Sequence, residues 1–173
     1  MDIKLTDAER LILSNQYRIM SLLDKNEEDC WKQLSEQLRN GHAFLYDSHL
    51  QMTMRPVLEE GDADFVIKVL GIYSDLSASY AELEEKGDLK EHDVRFPGFD
   101  GNDSYEGVLL QFTEALRRDG RYRETLPAGR DLNSHFTTVR GYRRVIATWE
   151  QMGEPRYPLS KEHLQELLIA RRT

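Results

Sequence analysis

The feature that most constrains this chain is a run of apolar residues between about Asp62 and Glu85. Phe65, Val66, Val69, Leu70, Tyr73, Leu76, Tyr80 and Leu83 return to one side at helical spacing over about six turns. Gly87 follows as a stop. A strand cannot hold this pattern, because its side chains alternate with period two and would send half of these residues to solvent. No segment shows strand alternation flanked by hairpin turns, and no repeat of 20–50 residues is visible. The expected fold class is therefore all-α, a single compact domain over 1–173 with about six helices around one core.

The other helices are read from their punctuation. Thr6 and Glu9 have capping-box spacing. After them Leu11, Ile12, Ile19, Leu22 and Leu23 share a face, with Asn15 near the middle of that stripe. Buried there, the Asn15 amide must find hydrogen-bond partners or cost about 1–3 kcal/mol. Leu13, Tyr17 and Met20 form a second, nearly opposite stripe. A helix apolar on two faces is either central in its domain or part of a subunit interface. Asn26 is the expected cap of a second helix carrying Trp31, Leu34 and Leu38 and ending at Gly41. The stretch from His42 to Pro56 reads as a short helix or an irregular buried segment, and the Pro56 ring blocks helix continuation. The residues from Asp88 to Asp103, with Pro97, Gly98 and Gly101, read as the principal loop. Helices follow near Asp103–Gly120, from Asn133 or Ser134 to Gly153, and after Ser160.

The length of 173 residues allows a core large enough to need no covalent staple. The single cysteine, Cys30, has no internal partner, which points to a reducing compartment. No apolar run approaches the roughly 20 residues of a membrane span, and no leader pattern opens the sequence. A cytoplasmic protein without membrane contact is expected.

The net charge of −8 is unevenly distributed. Residues 1–100 carry 11 Lys and Arg against 21 Asp and Glu, a balance of −10. Residues 101–173 carry 12 against 10, a balance of +2, and 11 of those 12 cations are arginines. The acidic total disfavours nucleic acid, whose phosphates repel it at long range. Two readings of the asymmetry stand side by side. The halves can pack through complementary surfaces, or the arginines can line a site for a small anionic ligand or an acidic protein partner.

A search for chemistry finds no competent constellation. His42, His49, His92, His135 and His163 are scattered singly, and no ligand motif surrounds them, so no metal and no cofactor are expected. The DGNDSYEG segment from Asp100 has Tyr105 where a calcium loop needs glycine and Gln111 where it needs glutamate. Phosphate-binding glycine loops and the nucleophile elbow are absent. No catalytic residue is assigned.

The opening Thr6–Met20, TDAERLILSNQYRIM, resembles the start of the YfbU family of bacterial and archaeal proteins. The similarity continues through Phe96-Pro97-Gly98-Phe99-Asp100, Gly120-Arg121-Tyr122, Trp149 and Arg156-Tyr157-Pro158-Leu159-Ser160. The stretch from Arg123 to Asp131 departs from the family pattern. The resemblance implies a compact helical domain with no established enzymatic activity and no catalytic residues to transfer. Within the motif, Gly98 is suited to a tight turn, Phe96 and Phe99 to anchoring it, and Asp100 to capping it or pairing with Arg121 or Arg156. A functional reading makes this loop, with Arg10, Asn15, Tyr17, Arg121 and Tyr157, the wall of a small polar pocket.

Two functions are expected on this basis. The first is a noncatalytic ligand-binding or protein-interaction domain, forming a homo-oligomer, a dimer in the simplest case, through a helix face. The alternative is a hydrolase or nuclease-like enzyme using clustered carboxylates and arginines.

Overall fold

Thr6 starts the first helix as its spacing predicts. Its Oγ1 accepts from the Glu9 amide while the Glu9 carboxylate accepts from the Thr6 amide, and α1 runs Asp7–Leu23. In this computed structural model, which describes residues 4–54 and 57–172, Pro56 lies outside the described residues. All regular elements among the described residues are helices: α2 Glu28–Arg39, α3 Ala43–Thr53, α4 Glu60–Glu82, α5 Glu91–Val94, α6 Ser104–Arg118, α7 Val139–Gln151 and α8 Lys161–Arg172. The class agrees with expectation, and the number of helices is eight rather than about six. The two additional helices are α3, in the ambiguous stretch after Gly41, and the one-turn α5, inside the expected loop. None of these helices is long and apolar enough to cross a membrane.

The chain forms two compact units, Met1–Val57 and Leu58–Thr173. Where one core was expected, the buried apolar residues fall into two clusters, one in each unit.

In the first unit α1 and α2 pair as an antiparallel hairpin. Contacts at Arg10–Leu38, Ser14–Ser35 and Tyr17–Trp31 rise in number along one helix as they fall along the other. The contact is made at serines. Ser14 Oγ donates to the Ser35 carbonyl at 2.9 Å, and Ser35 Oγ donates to the Ser14 carbonyl at 2.9 Å. These short side chains are fully buried or nearly so, and they let the two backbones approach. Leu38, Tyr46 and Leu50 form the small core, with Leu5, Leu13 and Tyr17 against it. Trp31 Nε1 donates to Asp24 across the turn, and α2 begins at Glu28 rather than just after Asn26.

The inward face of α1 is therefore the opposite of the one expected. Leu11, Ile12, Ile19, Leu22 and Leu23 are exposed, as is Asn15. Periodicity shows that a helix has an apolar side but not which of two sides meets its neighbour. Here the reciprocal serine bonds select the side with the smaller residues.

The second unit is arranged around α4, which buries Val66, Val69, Leu70, Ile72, Tyr73 and Leu76 and contacts α5, α6, α7 and α8. Asp103 caps α6, accepting from the Tyr105 and Glu106 amides. Ser160 opens α8, its Oγ accepting from the His163 amide. Helix α7 starts at Val139, four residues later than a cap at Ser134 suggested. Ser134 Oγ donates to the Phe136 carbonyl, and His135 adopts φ +58°, so the chain cannot enter a helix there.

The serine contact gives a test. Ser14→Leu removes one hydrogen bond and adds volume where two backbones meet, which costs about 1–3 kcal/mol. Amide hydrogen exchange in α1 and α2 is expected to accelerate accordingly, whereas Ser14→Ala should have a smaller effect.

Candidate functional site

The Phe96–Asp100 segment is a clasp, held by a buried carboxylate. Glu106, on the first turn of α6, is 3% exposed. Its carboxylate accepts from the Asp100 amide at 2.9 Å, the Thr138 amide at 2.8 Å, the Thr138 hydroxyl at 2.9 Å and the Val139 amide at 3.0 Å. Two of those donors are orphan amides at the start of α7, where a negative charge also suits the helix dipole. Burying a carboxylate is costly, and this set of charge-assisted bonds offsets the cost.

Gly98 sits inside the clasp. Its carbonyl accepts from Tyr142 Oη at 2.6 Å and from Thr138 Oγ1 at 3.0 Å. Its φ is +99°, and a Cβ there would lie 1.9 Å from the Leu132 carbonyl oxygen. Only glycine fits both demands. Phe99 pairs with the 132–134 strand-like segment, its amide donating to Leu132 and its carbonyl accepting from Ser134. Phe96, Phe99, Tyr73 and Tyr142 pack ring against ring with centroids 5.4–5.7 Å apart. Burial pushes the Tyr142 hydroxyl well above its ordinary pKa, so it remains a donor to Gly98.

The nine residues expected to wall a pocket have separate placements. Arg10, Asn15 and Tyr17 belong to the first unit. Arg10 bonds Asp7 and the Leu38 carbonyl, Tyr17 stacks on Trp31 at 5.6 Å, and Asn15 faces solvent. In the second unit Phe96, Gly98, Phe99 and Asp100 come together as the clasp. Asp100 Oδ1 accepts from Asn102 and not from an arginine. Arg121 is exposed and bonds Asp119, while Tyr157 donates to Glu82.

Two further features stand out, and only the first was not singled out by sequence. One is a cavity of about 510 Å³ in the second unit, beside the clasp. Pro97, Thr138 and Tyr142 border it, together with Arg95, Arg130, Arg140, Arg144, Arg171 and Arg172. Burial, and then the neighbouring Arg95 charge, lower the pKa of Arg130. The signal for this cavity was the arginine bias of the second half, which gives no positions. The other is the exposed face of α1. At 100° per residue, Ala8, Leu11, Ile12, Asn15, Ile19, Leu22 and Leu23 occupy about 120° of the helix with no charge among them. Among the described residues no three His, Cys, Asp or Glu side chains converge as a metal site.

Residues 3–170 match the YfbU domain. The UPF0304 protein MJECS11 of Methanocaldococcus jannaschii is 27% identical over 170 residues, covering 96% of this chain and 99% of that protein.

The clasp predicts a graded response. Glu106→Ala leaves three buried amides without an acceptor, at about 1–3 kcal/mol for each unsatisfied group. Denaturant unfolding should show a loss of several kcal/mol or failure to fold. Glu106→Gln keeps one acceptor oxygen and should lose less.

Proposed function

The chain belongs to the YfbU family, and on that premise we propose that it acts as a noncatalytic association domain that pairs with a second copy of itself through α1. One observation carries the reading: an uncharged apolar stripe runs the length of α1 and faces solvent, with Leu11 55%, Ile12 57%, Ile19 55%, Leu22 58% and Leu23 74% exposed. Large contiguous apolar patches on soluble proteins mark interaction surfaces. Phe44, Leu45, Met52, Met54 and Val57 add exposed apolar surface in the same unit.

The composition of the stripe favours self-pairing. Asn15 is the midpoint of Asp7–Leu23. An antiparallel copy related by a two-fold axis at Asn15 sets Ala8 against Leu22 and Leu11 against Ile19, small facing large and large facing large. The two Asn15 amides then meet, each offering a donor and an acceptor to the other. A single polar residue in an apolar helical seam fixes register at some expense of stability. The same patch serves both copies, as an isologous contact requires.

Light scattering coupled to size exclusion tests this at micromolar concentration. A mass near twice 20.2 kDa is expected. Ile19→Glu, at a solvent-facing position, should return the mass to that of one chain while helical circular dichroism is unchanged. A wild-type mass of one chain throughout the concentration range would overturn the reading.

A further inference from the structure

The arginine-bordered cavity in the second unit carries an inference independent of self-association. Its border contains six arginines and His92 and no aspartate or glutamate. Two of the six have carboxylate partners, Arg95 with Glu91 and Arg172 with Asp93. The other four do not. Arg130 donates to the Phe96 carbonyl at 2.6 Å. Arg144 donates to the Ala170 and Arg171 carbonyls at 2.9 Å, closing the end of α8. Arg171 donates to the Asp93 carbonyl at 3.1 Å and lies 3.4 Å from the Tyr73 hydroxyl. The Arg140 side chain has no hydrogen-bond or ion-pair partner among the described residues.

Four guanidinium charges are thus concentrated around one cavity without a balancing carboxylate, in a chain whose net charge is −8. A structural role explains neutral carbonyl partners for Arg130 and Arg144, but it leaves the charges themselves unopposed. Arginine differs from lysine in presenting a planar fork that matches carboxylate and phosphate oxygens two at a time. Gly141 and Thr137 keep part of the wall small, and a Cβ at Gly141 would come within 3.1 Å of the Arg171 carbonyl oxygen. Phe136, 61% exposed, supplies an apolar border. The volume of about 510 Å³ is within the range of small-molecule sites, roughly 300–1,000 Å³.

We propose that this cavity binds a small polyanion, a molecule carrying at least two negative charges as phosphate or carboxylate groups, with Arg140 as the recognition residue left free for it. The arginines committed to carbonyls, Arg130, Arg144 and Arg171, hold the walls and supply the field. Arg140, whose side chain has no partner within the fold, makes the direct contact to the ligand.

Calorimetry of the full chain at constant ionic strength tests the proposal with two probes, pyrophosphate and citrate. Saturable binding of either is expected. Saturation by pyrophosphate alone identifies a phosphorylated ligand, and by citrate alone a polycarboxylate. Arg140→Ala, which breaks no bond in the fold, should weaken that binding at least tenfold, while Arg118→Ala, at a position off the cavity border, should leave it unchanged. Absence of saturable binding by both probes would overturn the proposal. So would equal losses in the two variants, which indicate diffuse attraction to surface charge.

Discussion

The Glu106 carboxylate is the contact on which the second unit depends. It joins the turn at Asp100 and the first turn of α6, six residues apart, to the start of α7 more than thirty residues later. Each stretch alone has an unsatisfied requirement. The turn at Gly98–Asp100 exposes amides, and α7 begins with orphan N–H groups and no side-chain cap of its own at Thr138. One buried carboxylate meets these needs together. The aromatic cluster of Phe96, Phe99, Tyr73 and Tyr142 then packs over a backbone already fixed, and Tyr142 returns a hydrogen bond to Gly98.

The arrangement also explains why the arginine cavity is located where it is. Pro97, Thr138 and Tyr142 belong to the clasp and to the cavity border at once. Glu106 commits its carboxylate to the Asp100, Thr138 and Val139 amides and the Thr138 hydroxyl, and among the described residues it forms no ion pair with the cavity arginines. Arg144 and Arg171 meanwhile tie the end of α8 to α7 and to the Asp93 carbonyl, which keeps cationic groups at the border by structural bonds rather than by ion pairs.

Much of the fold was legible in the sequence. The capping box at Thr6 and Glu9, the long α4 stripe and the glycine stops at Gly41, Gly120 and Gly153 were local signals, and local signals fix helices, whereas α4 ends at Glu82, before the expected stop at Gly87. What failed was long-range. Whether α1 buries its leucines or its serines depends on Ser35, twenty-one residues away, and no periodicity records that. The start of α7 was misplaced because Ser134 has the chemistry of a cap, whereas the acceptor that serves α7 is Glu106, thirty-two residues earlier. The Phe96–Asp100 motif was readable as a turn pinned by aromatics, but its acceptor was not. Asn15 was conspicuous as a polar residue in an apolar stripe, and the stripe proved to face outward. The cavity arginines come from four separate places in the chain, so composition announced an excess without a location.

An outward apolar stripe centred on a lone amide is the basis of the functional reading, and the orientation of two copies is its most specific consequence. Spin labels at single introduced cysteines, in a Cys30→Ser background, report it by electron–electron dipolar spectroscopy. An antiparallel pair centred on Asn15 places residue 16 of the two copies close together along the axis. It separates residue 23 of the two copies by about 24 Å along the axis, at 1.5 Å per residue. A short distance at Gln16→Cys and a long one at Leu23→Cys is the predicted result. Equal short distances at both positions, or no dipolar coupling at either, would contradict it.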